Sequence, residues 1–207
     1  GNLTNDGRRI FAWDEENRLS SVETAVPAVL RLRSEYLYDA QGRRIRKTDL
    51  SGWTGSAYAT TNTTRFIWDG WLLLSEICNL QSEITTNHYV WGLDLSGSLS
   101  GAGGIGGLIA SVDSAGTARY FSFDGNGNVA DALDASGASV ARYEFDPFGR
   151  TVSEAGSCAA RNPFRFSTKY YDSFWNLYWY GRRYYDPSRG TWLSPDPLGE
   201  AGGINLF

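Results

Sequence analysis

One short phrase recurs along this chain and limits its fold more than any other feature. Two aromatic residues flank a single residue, and then come aspartate, a glycine or asparagine turn and often an arginine. It stands as Phe11-Ala12-Trp13-Asp14 with Asn17-Arg18-Leu19, as Tyr36-Leu37-Tyr38-Asp39 with Gly42-Arg43-Arg44-Ile45, and as Phe66-Ile67-Trp68-Asp69-Gly70. It returns as Phe121-Ser122-Phe123-Asp124 with Gly127-Asn128-Val129 and as Tyr143-Glu144-Phe145-Asp146 with Phe148-Gly149-Arg150, and a degenerate copy, Tyr89-Val90-Trp91-Gly92, fills the gap. Counted from the aspartates, with Gly92 standing in once, the intervals are 25, 30, 23, 32 and 22 residues, room for two strands and two turns each. Self-similarity at that period marks an array.

Aromatics at i and i+2 point to one face of a strand and make an apolar ledge that something must cover. The aspartate ends the strand by bonding its own downstream backbone, and the glycine or asparagine accepts the left-handed turn that sends the chain back. Each unit is therefore a hairpin that cannot bury its ledge alone and gains stability from its neighbours. The 8 Trp, 12 Tyr, 10 Phe and 24 Gly agree with strands joined by tight turns. The expected class is all-β, repeated antiparallel hairpins in one continuous sheet.

Between the copies, Leu50 to Thr64 is rich in Ser, Thr, Gly and Asn, and Leu95 to Gly107 is nearly all Gly, Ser and Leu. The second stretch reads either as a linker or as an ordered crossing; the same phrase on both sides favours one sheet. A net charge of −4 predicts no general attraction to nucleic acid or anionic membrane. The basic run Arg43, Arg44, Arg46, Lys47, flanked by Asp39 and Asp49, is expected to be a solvated strand face. Cys78 and Cys158 belong to no metal-spaced cluster and read as isolated buried thiols or, in an oxidising compartment, as a pair, with the first reading preferred; His88 is read as structural. Asp124-Gly125-Asn126-Gly127-Asn128 lacks a glutamate at the twelfth position, where Ala135 stands, and is read as a hairpin turn and not a calcium loop. No cofactor or metal is expected. No segment is long and apolar enough to span a bilayer, and the chain starts and stops in mid-pattern, as a piece of a longer protein would.

After Arg150 the rhythm changes. Asn162-Pro163-Phe164-Arg165-Phe166 is followed by Tyr170-Tyr171-Asp172, Leu177-Tyr178-Trp179-Tyr180-Gly181-Arg182-Arg183-Tyr184-Tyr185-Asp186-Pro187, Gly190-Thr191-Trp192-Leu193-Ser194-Pro195-Asp196-Pro197 and Gly202-Gly203-Ile204-Asn205-Leu206-Phe207. This order resembles the Rhs repeat-associated core segment, and the upstream phrases resemble YD repeats. The division implied is YD repeats over 1–160 and the core segment over 161–207. The resemblance implies a sheet strip that spirals into a hollow shell, as in bacterial Rhs toxins, the B and C components of Tc toxins, and teneurins. It also implies a secreted, bacterial parent whose shell encloses a C-terminal toxic cargo, so that the partners are that cargo and the remaining shell.

In bacterial members the core carries an aspartic-protease-like activity that frees the cargo. Carried over by resemblance, the site falls on Asp196 of Ser194-Pro195-Asp196-Pro197 and on Arg183 of the Arg183-Tyr184-Tyr185 phrase. An aspartic protease needs two carboxylates sharing one proton. The family's second aspartate lies about two dozen residues beyond Asp196, past Phe207, so the chain is expected to hold half a site and not to cleave by itself. Asp186-Pro187 is read as a turn, and Asp196 as a turn, a site residue or both. Two alternatives stand beside the shell: an autoprocessing protease core, and an extracellular adhesion or carbohydrate-binding surface using Trp175, Trp179 and Trp192, whose spacing fits core packing better. Open strand edges also predict pairing with other copies.

Overall fold

The computed structural model of the chain describes residues 1–25, 31–81, 83–203 and 206. Ile204, Asn205 and Phe207 of the terminal phrase therefore lie outside the described residues. Twelve strands run β1 (Arg9–Trp13), β2 (Leu19–Thr24), β3 (Arg33–Tyr38), β4 (Arg44–Trp53), β5 (Tyr58–Asp69), β6 (Leu72–Asn79), β7 (Ile84–Trp91), β8 (Leu108–Asp113), β9 (Ala118–Phe123), β10 (Val129–Leu133), β11 (Ser139–Phe145) and β12 (Thr151–Ala155). They form one sheet in chain order, each pairing antiparallel with its sequence neighbours. The tail makes a separate four-stranded sheet of β13 (Tyr170–Asp172), β14 (Leu177–Trp179), β15 (Tyr184–Asp186) and β16 (Thr191–Trp192).

At Asp14, Asp39, Asp124 and Asp146 the recurring aspartate builds the turn between strands in a fixed way, whereas Asp69 stays in β5 opposite Leu72 and leaves a two-residue loop. The Asp39 carbonyl accepts Gly42 N–H, its own N–H donates to Arg43 O, and its Oδ1 accepts the N–H groups of Gln41 and Arg43. With Gly42 at φ +80°, this is a type I turn closed by a left-handed residue, a three-residue hairpin loop. The arginine that follows has a partner too: Arg43 Nε donates to Asp39 Oδ2 at 2.7 Å, and Arg18 and Arg150 do the same to Asp14 and Asp146. In the 124–128 turn Asn128 takes the arginine's place, and that segment is a hairpin as read from sequence. Asp113 and Asp134 make the same turn without the full aromatic phrase.

A register shift falls between the central residue and the second aromatic in five hairpins, at Ala12/Trp13, Leu37/Tyr38, Ile67/Trp68, Val90/Trp91 and Glu144/Phe145. Such bulges bend the strand and increase its twist. The polar tip of the second aromatic then reaches a neighbouring backbone: Trp68 Nε1 donates to Arg44 O at 2.8 Å, Trp91 Nε1 to Leu73 O at 2.7 Å, and Tyr38 Oη to Leu19 O at 2.8 Å.

The tail covers the ledge. Phe11, Leu19, Val22 and Tyr36 of the large sheet pack with Trp175, Leu177, Trp179, Tyr184 and Leu193. Further along, Phe66, Tyr89, Leu108 and Tyr143 pack with Phe164 and, at its margin, Tyr170. Each such side chain contributes roughly 1.5–3 kcal/mol of burial. Trp175 and Trp179 are thus core, which removes two of the three tryptophans suggested for an adhesive surface.

Two sequence expectations resolve here. The stretch Leu95 to Gly107 is an ordered crossing: Gly92 N–H donates to Gly107 O at 2.8 Å, and buried Asp94 accepts the N–H groups of Ala102 and Gly104. The Ser96 hydroxyl and these amides hold the Asp94 carboxyl down at about 2. The basic run at 43–47, by contrast, is not a solvated face, because Arg44 is fully buried and Lys47 nearly so. The bulge that sets Tyr38 opposite Arg44 and Leu37 opposite Arg46 shifts the inward parity of β4, turning Arg44 and Lys47 into the core.

Candidate functional site

The two sheets are joined by polar groups that neither could bury alone. Arg44 sits among the rings of Tyr36, Phe66, Tyr170, Trp179 and Tyr184, between 4.4 and 6.0 Å from their centroids, and Nη1 donates to Tyr184 Oη at 2.9 Å. Its Nε and Nη2 have no hydrogen-bond acceptor among the described residues, so the ring faces supply the charge stabilisation. Lys47 Nζ donates to Asp172 Oδ1 at 2.6 Å and lies 3.1 Å from Asp49 Oδ1. Burial raises the Asp49 carboxyl above the usual range, against the pull of Lys47. Glu76, on β6, accepts Tyr89 Oη at 2.7 Å from the wall and Tyr170 Oη at 2.7 Å from the tail.

Arg183 and Asp196, the residues expected to carry half a processing site, are brought together. Arg183 Nη2 donates to Asp196 Oδ2 at 2.7 Å, and the guanidinium lies 4.2 Å from the Trp192 ring centroid. Asp196 Oδ1 accepts Leu198 N–H at 2.9 Å, and its carbonyl accepts Gly199 N–H. These two contacts repeat those of the sheet turns, with Arg183 standing where the following arginine stands elsewhere, but the Asp196 N–H donates to Leu206 O instead of to the residue four further on. No second carboxylate bonds Asp196 among the described residues. Asp186 is placed differently: it is fully buried, ion-paired with Arg9, and bonded through Oδ1 to the Ser188 hydroxyl and N–H, which is the turn reading.

Beside the pair lies a cavity of about 810 Å³ between the large sheet and the tail. Arg183, Trp192 and Asp196 form part of its wall, and Trp68, Trp91 and Lys169 another part. Sequence reasoning did not find Lys169; burial lowers its ammonium from 10.5 to about 8. Elsewhere, Ser75 Oγ lies 2.7 Å from His88 Nδ1 as a cross-strand pair. Both cysteines are free thiols, and no group of three metal-binding side chains occurs among the described residues.

With this geometry in view, the likenesses to known proteins are informative. Over 100% of the chain it is 29% identical to the tRNA3(Ser)-specific nuclease WapA of Bacillus spizizenii, and covers 8% of that protein. Over 95% of the chain it is 28% identical to the double-stranded DNA deaminase toxin A of Burkholderia cenocepacia, and covers 14% of it. The crystal structure of TcdB2-TccC3 without the hypervariable C-terminal region superposes over 99% of the chain and 10% of that structure's chain, with TM-score 0.75 and 24% identity. That last likeness speaks for the fold alone. A family model described as Teneurin YD-shell matches residues 24–200, and the chain belongs to the YD-shell family.

Proposed function

We propose that this chain is a piece of the wall and core of a hollow shell that encloses a C-terminal toxic cargo in a secreted bacterial protein. Residues 1–160 form the repeat wall and 161–207 the core segment seated on it. The carrying observation is that the aromatic ledge of the sheet is covered by the chain's own tail, through Arg44, Lys47–Asp172 and Glu76–Tyr170. A strip so anchored leaves the β12 edge open, among the described residues, to continue into further wall, while Thr4 and Asn5 already pair along the outer edge of β1. The relatives support this division, since one is named a tRNA nuclease and another a DNA deaminase although both share this region. Their distinct activities then reside outside it. The partners are the cargo and the rest of the shell, and other copies could add at the β12 edge. In the parent protein, the cargo should resist trypsin at a dose that digests the isolated cargo; equal digestion of both would overturn the shell.

A processing role for Arg183 and Asp196 rests on their ion pair at the cavity wall. Asp196 would supply one carboxylate, Arg183 would hold it in position through its 2.7 Å hydrogen bond, and a second carboxylate would come from further along the parent. In a parent protein that cuts itself, Asp196→Asn should leave it uncut on a denaturing gel, and unchanged cutting would leave Asp196 only its turn.

A further inference from the structure

The cavity between wall and core has a chemistry of its own. Trp68, Trp71, Trp91, Trp179, Tyr180 and Trp192 all stand in its wall. Trp68 and Trp91 spend their N–H groups on the sheet backbone, so their contribution to the cavity is apolar. Three cations stand in its wall, Lys169, Arg182 and Arg183, against one anion, Asp196. Arg183 and Asp196 neutralise each other at 2.7 Å. Lys169 Nζ donates to the Gly103 carbonyl at 2.5 Å and lies 5.7 Å from the Tyr180 ring, while Arg182 lies 4.8 Å from the Trp71 ring. Neither Lys169 nor Arg182 has an ion-pair partner among the described residues. The cavity is thus an aromatic enclosure with a net positive wall, in which Asp94 acts on Lys169 only from beyond ion-pair distance.

That balance selects a ligand. A cationic guest would be repelled, and a purely apolar one would leave Lys169 and Arg182 desolvated with no carboxylate in direct contact. An apolar group attached to a carboxylate satisfies both features. The cavity of about 810 Å³ falls in the upper part of the range that holds drug-sized ligands, roughly 300–1,000 Å³, enough for two or three side chains. Ser100 and the Gly103 carbonyl in the wall offer a donor and an acceptor of the kind a peptide backbone uses. We propose that this cavity binds an extended peptide segment in which a bulky apolar side chain is followed by a carboxylate. The apolar side chain enters the tryptophan walls, and the carboxylate bonds Lys169 with Arg182 beside it. The site does not depend on Arg183 and Asp196 having a catalytic role.

The test uses the full chain and a fluorescein-labelled peptide, acetyl-Ala-Phe-Asp-Leu-Ala-amide, with fluorescence anisotropy as readout. Two controls carry Asn for the aspartate or Ala for the phenylalanine. A hydrogen bond to a charged group is worth about 1.5–3 kcal/mol, which corresponds to a change of about tenfold or more in affinity. The aspartate peptide should bind saturably, and each control at least about tenfold more weakly. Lys169→Gln should remove the preference for aspartate over asparagine while leaving the asparagine peptide's affinity unchanged, with its folding verified by an unmoved urea midpoint. Arg182→Gln, at an exposed position, should reduce the same preference and serves where Lys169→Gln does not fold. Equal binding of the aspartate and asparagine peptides, the preference surviving in both variants, or no saturable binding up to about 1 mM would overturn the proposal.

Discussion

Replacing Asp172 by asparagine tests whether the seam between wall and core is held by charge. Asp172 is 2% exposed and accepts Lys47 Nζ at 2.6 Å and Tyr36 Oη at 3.3 Å. The local cluster is balanced, Arg44 and Lys47 against Asp49 and Asp172, and asparagine leaves two buried cations with one carboxylate. Breaking a buried pair by removing one partner costs about 3–5 kcal/mol. Asp49, 3.1 Å from Lys47 Nζ, remains as a counter-charge and places the cost near the lower limit, about 3 kcal/mol. With a urea m-value of about 2 kcal/mol/M, the midpoint should fall by about 1.5 M. The variant carrying both Asp172→Asn and Lys47→Met restores the balance and should recover at least about 1 kcal/mol of that loss, a non-additivity expected of contacting residues. A midpoint drop below about 0.5 M, or strictly additive effects in the cycle, would refute the reasoning.

Three further outcomes follow from particular atoms. Carbon-13 methyl NMR of the reductively methylated chain should show one lysine, Lys169, losing its proton near pH 8 as the pH rises, because burial disfavours its charged form; a resonance titrating near 10.5 would contradict this. Gly149→Ala would put a Cβ 2.5 Å from Phe166 Cδ1 at φ +85° and should cost about 3 kcal/mol in urea unfolding, whereas Gly137→Ala, at φ +83° with nothing within 4 Å, should cost only about 1 kcal/mol. Cys158 should react with an aromatic disulfide reagent well before Cys78. Burial opposes the Cys158 thiolate, but Arg119 at 3.3 Å outweighs it and lowers the thiol, while burial pushes Cys78 up to about 11. Arg119→Gln should slow the Cys158 reaction, and faster modification of Cys78 would contradict the assignment.

The hairpins were legible because everything they need lies within five consecutive residues. An aspartate carboxylate that accepts the amides at i+2 and i+4, with a left-handed residue between, is a local device and leaves a local trace. The turns at Asp113 and Asp134 carry the same aspartate with glycine three residues on, at Gly116 and Gly137, and that spacing alone would have found them. The burial of Arg44 and Lys47 was not legible. Their inward direction follows from a bulge in β4 itself, at Ile45, and their partners lie more than 120 residues away, on Asp172 and Tyr184. The candidate site was half legible. The tail pattern named Arg183 and Asp196 together, but the pattern says nothing of the cavity, whose walls come from the β5–β6 turn, the crossing after β7 and the tail.

By itself, then, the sequence determined the repeating unit, its turns and the order of the sheet, since each strand pairs with the next and, the crossing between β7 and β8 apart, the same phrase recurs on both sides of short connections. Only the tertiary structure decided what covers the aromatic ledge. Periodicity reports which face is apolar but not what packs against it, and the tail meets that face through contacts too distant in sequence to leave a pattern.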